Sequence, residues 1–155
     1  MILLKGLGLS LCSSIAWGML FNVPVRTLLA CGLAGMTGWL VFSLLPLWGA
    51  EVMLSTFAAA TAVSLLSQLL SIFLRVPSTN FSVAGIIPLV PGSLAYKAML
   101  AFVNGQNMEG ISLATQTAMV AGAIAFGLIF GVSLVTIWKG VRHAKKRAGK
   151  RAQPH

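Results

Sequence analysis

An all-α fold, a polytopic membrane helix bundle of about five spans with the fourth broken by proline and glycine, is what this sequence predicts, and three observations predict it. Of the 155 residues, 57% are hydrophobic and only 8% are charged, against about 25% charged in an average soluble domain. The apolar residues fall into runs of about 20, the length that crosses a hydrocarbon core of about 30 Å as a helix. Seven of the eleven Lys and Arg residues are gathered between Lys139 and Arg151, so the formal net charge of +9 belongs to a tail and not to a surface. The chain accordingly divides into a transmembrane helical domain, 1–138, and a basic cytoplasmic tail, 139–155.

The first apolar run covers residues 2–21 and ends at Asn22-Val23-Pro24-Val25-Arg26, where proline removes a backbone donor and polar side chains favour the interface. Lys5 ahead of this run gives it the look of a signal peptide, but no small-x-small cleavage site leads into a polar region, and it is read as a retained span. The second run, 27–47, closes at Pro46 and Trp48-Gly49, with Trp39 and Trp48 placed for an interface. The third, 52–74, carries Ser64, Ser67, Gln68 and Ser71 at offsets that put all four on one helical face, which should turn away from lipid. A turn is expected over residues 75–82. The fourth run, 83–103, contains Pro88, Pro91 and Gly92 and cannot be one regular helix. A polar turn at 104–110 leads to the last run, 112–138. Cys12 and Cys31 lie inside apolar runs and behave as small hydrophobes.

Five spans with the C-terminus inside put Arg26, Arg75 and the seven tail residues on the cytoplasmic side and leave Lys5 on the other, as the positive-inside rule requires. Glu51 and Glu109 are then external. A four-span alternative, with the fourth run re-entrant, would put Arg26 and Arg75 outside. With an odd number of spans, a second such unit joined after this one would be inverted, an arrangement common in secondary transporters.

The composition excludes several classes of function. A basic tail can grip phosphate backbones, but in a chain this apolar it is read as a topology anchor against anionic lipid, with no nucleic-acid partner. There is no phosphate-binding glycine loop, no His-Glu-x-x-His and no Ser, His and Asp set, so no catalytic residues and no metal or other cofactor are expected. The chain has no aspartate, and its two glutamates lie in loops, so proton coupling needs a partner or a loop glutamate drawn inward. Gly127 and Gly131 have the spacing that lets helix backbones approach. It is read as packing within the chain, with a subunit interface as the alternative.

The stretch from Gly85 to Lys97 is the most informative. Pro88, Pro91 and Gly92 end one helix, and a new one can start near Pro91 to Ser93, where free N–H groups and a positive dipole end favour an anion. Ser93 and Lys97 are one turn apart. Lys97 so near a helix start is unfavourable unless a negative group joins it; otherwise the stretch is a proline kink with Lys97 reaching a head group. Ser64 and Gln68 are candidates for lining the same path, with binding to neighbouring helices as the other reading.

Phe21-Asn22-Val23-Pro24-Val25-Arg26 together with Ile87-Pro88-Leu89-Val90-Pro91-Gly92-Ser93-Leu94-Ala95-Tyr96 resembles the threonine/serine exporter family, specifically its small subunit, equivalent to the C-terminal half of the fused exporters. The resemblance covers roughly residues 10–138. It implies a two-part transporter in the bacterial inner membrane, in which a larger membrane subunit pairs with this one. The cargo is then threonine and serine, or succinate in a two-subunit version. It carries over to Pro88, Pro91, Gly92 and Tyr96, but the family pattern does not fix a lysine at the place of Lys97. Residues and resemblance lead to one expectation, export of small carboxylate metabolites through a site shared with the larger subunit. Its substrate path would include Pro88, Pro91, Gly92, Ser93, Tyr96 and Lys97, with Asn22 and Arg26 at the cytoplasmic mouth and Ser64 and Gln68 on the third span. The alternative is a non-transporting membrane scaffold or assembly protein, for which the broken span is only a kink.

Overall fold

A computed structural model describes the backbone of residues 2–151 and the side chains of residues 4–138. The described residues form six α-helices and no strand: α1 (Ile2–Leu20), α2 (Leu28–Leu44), α3 (Val52–Leu74), α4 (Ser78–Ile86), α5 (Gly92–Val103) and α6 (Asn107–Arg151). Short 3-10 turns precede α2 (Val25–Thr27), follow it (Leu45–Trp48) and separate α4 from α5 (Ile87–Leu89). Three stretches are long and apolar enough to cross a membrane: Val25–Trp48, Val52–Leu74 and Asn107–Trp138. Ser78–Leu89 and Gly92–Val103 make a fourth as a pair bent by 52°. The apolar part of α1, Leu4–Leu20, is shorter, but at 1.5 Å per residue the 19 residues of α1 reach about 28 Å, close to the hydrocarbon thickness.

The ends of these helices follow local chemistry. After α1, Asn22 adopts a left-handed conformation with φ 54°. Its N–H donates to the Met19 carbonyl, and that of Val23 to the Gly18 carbonyl, both at 3.0 Å. This is the paired-bond helix stop in which asparagine can stand in for glycine, and Val23 seals it by being buried. Arg75 ends α3 in the same left-handed region. Two boundaries differ from the sequence reading. The turn expected at 75–82 is shorter, because Pro77 caps α4 and residues 78–82 are already helical. Phe81, fully buried against α2, explains it: packing overrides the turn preference of the neighbouring Ser, Thr and Asn. Likewise α6 starts at Asn107 and not at 112, with Glu109 in its first turn, where the helix dipole favours a carboxylate. The basic residues after Trp138 continue α6 to Arg151; their side chains lie outside the described residues.

Small residues let the helices meet closely. A Cβ on Gly85 would stand 2.7 Å from Val63 Cγ1 and 3.0 Å from Ala34 Cβ, locking α4 against α2 and α3. Gly127 would meet the Phe57 carbonyl oxygen at 2.6 Å, and Gly131 the Ser64 Cβ at 2.6 Å. The Gly127/Gly131 pair is therefore used within the chain, as the sequence suggested.

The direction of α6 decides how the broken segment runs. Gly127 lies against Phe57 and Thr61, while Gly131, one turn on, lies against Thr61 and Ser64. The two helices therefore advance in the same direction. A re-entrant α4–α5 would return the chain to the side it left and make α6 antiparallel to α3. The parallel pairing means that α4 and α5 together cross the bundle. One end of the bundle then holds Asn22, Arg26, Arg75 and the C-terminal part of α6, and the other holds Trp48, Glu51, Asn104 and Glu109.

Candidate functional site at the helix break

Two prolines shape the break. Ile87–Leu89 forms the 3-10 turn, with the Val90 N–H donating to the Ile87 carbonyl at 3.3 Å. Val90 is then extended (ψ 126°), and the Gly92 N–H folds back onto the Val90 carbonyl at 2.7 Å. The first α-helical bond of α5 runs from the Ala95 N–H to the Pro91 carbonyl at 3.0 Å. The N–H groups of Ser93 and Leu94 therefore precede the helical ladder and have no acceptor within it. From Pro77, the nine residues of α4 rise about 14 Å, which sets the break near the middle of a hydrocarbon core of about 30 Å.

The two sides of the break differ in what covers them. Leu89 is buried in the core with Ala59, Ala60 and Val63, and the turn packs on α1, α2 and α3. Beyond it, α5 packs chiefly on α6 through the buried Ala98 and Ala101. Gly92, Ser93, Tyr96 and Lys97 are all exposed, Tyr96 by 67%, and a Cβ on Gly92 would meet nothing within 4 Å. Gly92 and Tyr96 share one ridge of α5, Ser93 and Lys97 the next. A polar backbone break is thus presented on the outer surface of the bundle at mid-depth.

The remaining sequence candidates lie elsewhere. Asn22 and Arg26 sit at the bundle end, where Phe21, Val23, Thr79 and Asn80 line a cleft of about 230 Å3 between α1 and α4. Asn80 and Pro88 are eight residue steps apart along α4 and the following turn, about 12 Å at helical rise, so the two family motifs occupy different levels. Ser64 is fully buried, and its hydroxyl donates to the Leu128 carbonyl at 3.0 Å. The Gln68 amide donates to the Ser78 hydroxyl at 3.1 Å. Both side chains are engaged in holding helices together. Ser67 on the same face is buried with no partner for its hydroxyl among the described residues.

Sequence reasoning passed over a second polar cleft, of about 290 Å3, at the end where α5 turns into α6. Lys97, Asn104, Gln106 and Glu109 line it. The signal is present in the sequence, a lysine and a glutamate flanking one tight turn, but Asn104, Gln106 and Glu109 read there together as part of one polar turn at 104–110.

A profile of the family described as "Threonine/Serine exporter, ThrE" matches residues 7–134. An uncharacterized protein of Haemophilus influenzae is 31% identical over 123 residues, covering 74% of this chain and 41% of its own length. The chain thus spans about two fifths of that relative. No solved structure matches it.

Proposed function

Since the chain belongs to the threonine/serine exporter family, a family of membrane transporters, we propose that it exports small carboxylate-bearing metabolites from the cytoplasm in concert with a larger membrane subunit. Threonine and serine are the leading cargo, and a dicarboxylate such as succinate is the other candidate. The membrane is the bacterial inner membrane, with the C-terminus cytoplasmic and the basic residues 139–155 against anionic lipid. Transport by this chain and its partner is binding and passage, with no chemical step.

The observation that carries this reading is the exposed break. Irregular backbone at mid-membrane depth is tolerated only where protein or a water-filled cavity satisfies it, and among the described residues Gly92, Ser93 and Tyr96 are left exposed. A partner that completes a water-filled path along this surface meets that requirement. The helix start then offers the Ser93 N–H and hydroxyl to a substrate carboxylate, as broken helices do in secondary transporters. Pro88 and Pro91 keep those groups free, and Tyr96 borders the same opening. The relative from Haemophilus influenzae lends support, because more than half of its length lies outside the matched part and can supply the second half of such a machine.

Gly92→Val tests the reading directly. A Cβ at this position meets nothing within 4 Å among the described residues, so the variant should insert and accumulate normally while closing the approach to the Ser93 N–H. Efflux of threonine, serine and succinate is measured from cells co-expressing the partner. The expected result is loss of export in Gly92→Val at normal protein level. Wild-type export by that variant would remove the break from the path, and equal efflux with and without this chain for every cargo would remove the exporter reading.

A further inference from the structure

The cleft between the end of α5 and the start of α6 brings one cation and one anion to a single opening and does not pair them. Lys97 and Glu109 both line it, and no ion pair within 4.0 Å forms between them or with any other described residue. Asn104 and Gln106 add two amides, each able to donate and accept, and Leu100 and Leu113 supply apolar wall. Lysine offers only donors and glutamate only acceptors, so the two leave opposite and complementary valences open to a ligand. A dicarboxylate would satisfy Lys97 and be repelled by Glu109; a simple amine would do the reverse. A molecule carrying both an ammonium and a carboxylate on one carbon satisfies both.

Its place in the fold connects this cleft to the break. Ser93, Lys97, Leu100 and Asn104 follow one another along a single ridge of α5, from the start of the helix near mid-membrane to its outer end. We propose that the α5–α6 cleft is a second binding site, taking the zwitterion of a small α-amino acid, with Lys97 on its carboxylate and Glu109 on its ammonium group. The cleft is the last station on the way out. It rests on the exporter reading for its role, and it narrows that reading by selecting zwitterions over dicarboxylates at the exit.

Cysteine protection tests it. In the full chain with exposed Cys12 replaced by alanine and buried Cys31 left in place, Leu113→Cys puts a thiol in the cleft wall, and its alkylation rate is followed in membrane vesicles containing the partner. L-Serine is expected to slow alkylation, while L-serine methyl ester, which lacks the carboxylate, and N-acetyl-L-serine, which lacks the ammonium, need about tenfold more for the same effect. Lys97→Gln should abolish the preference for serine over its methyl ester, and Glu109→Gln the preference over the N-acetyl derivative. Gly92→Val should leave protection unchanged. Equal protection by all three compounds, preferences that survive both charge-removing variants, or no protection by serine up to its solubility would each overturn the site. Export assayed in parallel separates the two readings: lost protection with intact cargo efflux removes the cleft alone, and intact protection without efflux removes the exporter reading alone.

Discussion

The hydroxyl of Ser64 donates to the carbonyl oxygen of Leu128 at 3.0 Å, and it can do so because Gly131, one turn further along α6, has no side chain to hold the helices apart. Gly131→Val should therefore destabilise the bundle by about 1–3 kcal/mol through overpacking. Ser64→Ala, which removes one interhelical bond, should cost about 0.6 kcal/mol. Gly122→Val is the control, since a Cβ there meets nothing within 4 Å. Thermal unfolding in detergent reads all three, and a Gly131→Val protein as stable as Gly122→Val would contradict the close packing of α3 on α6.

The parallel course of α3 and α6 puts Glu51 and Glu109 on one side of the membrane, and the proposed orientation makes that side the external one. In an otherwise Cys12→Ala chain in intact cells, Glu51→Cys and Glu109→Cys should both react with an impermeant maleimide from outside, and Arg75→Cys should react only after permeabilisation. Labelling of the two glutamate positions from opposite sides would show that α4 and α5 turn back without crossing.

Asn22 ends α1 with a positive φ of 54°. Asn22→Gly should keep the stability of the wild type, whereas Asn22→Val should lower it by about 1–2 kcal/mol, the cost of a branched side chain in the left-handed region. Melting in detergent distinguishes them; equal melting temperatures would mean that the paired-bond stop is not what ends the helix.

How much of this was legible beforehand depends on what kind of signal each feature leaves. The spans announce themselves because each is a long apolar run, and the break does because Pro88 and Pro91 forbid a continuous ladder. The start of α4 was misread because Ser78, Thr79, Asn80 and Ser82 are turn formers in isolation; only the burial of Phe81 in three dimensions makes them helical. The shared face of Ser64 and Gln68 was read correctly, but their partners, Leu128 and Ser78, come from helices whose neighbours no spacing rule reveals. The outward turn of α5 was hidden for a different reason: its packing face is Ala98 and Ala101, small residues that barely contrast in hydropathy with the exposed Ala95.

Coupling to a proton gradient should not occur in this chain alone. A relay through the membrane needs an acidic group at membrane depth, while the chain has no aspartate and both Glu51 and Glu109 are exposed at one end of the bundle. Proteoliposomes containing only the purified chain should show no serine flux in response to an imposed pH difference. Flux of that kind would place the relay in this chain after all.

Where the helices of this bundle meet most closely the contacts are made by glycine, alanine and serine around a few larger buried residues such as Phe81, Val63 and Leu89, while many other bulky side chains are exposed on its surface. Selection acting on such a molecule is therefore divided by depth in an unusual way. At Ala34, Gly85, Gly127 and Gly131 every additional carbon is penalised, however apolar, whereas at Leu29, Phe73 or Ile129 on the rim one greasy residue replaces another freely and only a charge is refused. A saturation scan of the whole chain would thus separate inside from outside by which property each position rejects, volume or polarity, and would draw the membrane-facing outline of the protein without any structure at all.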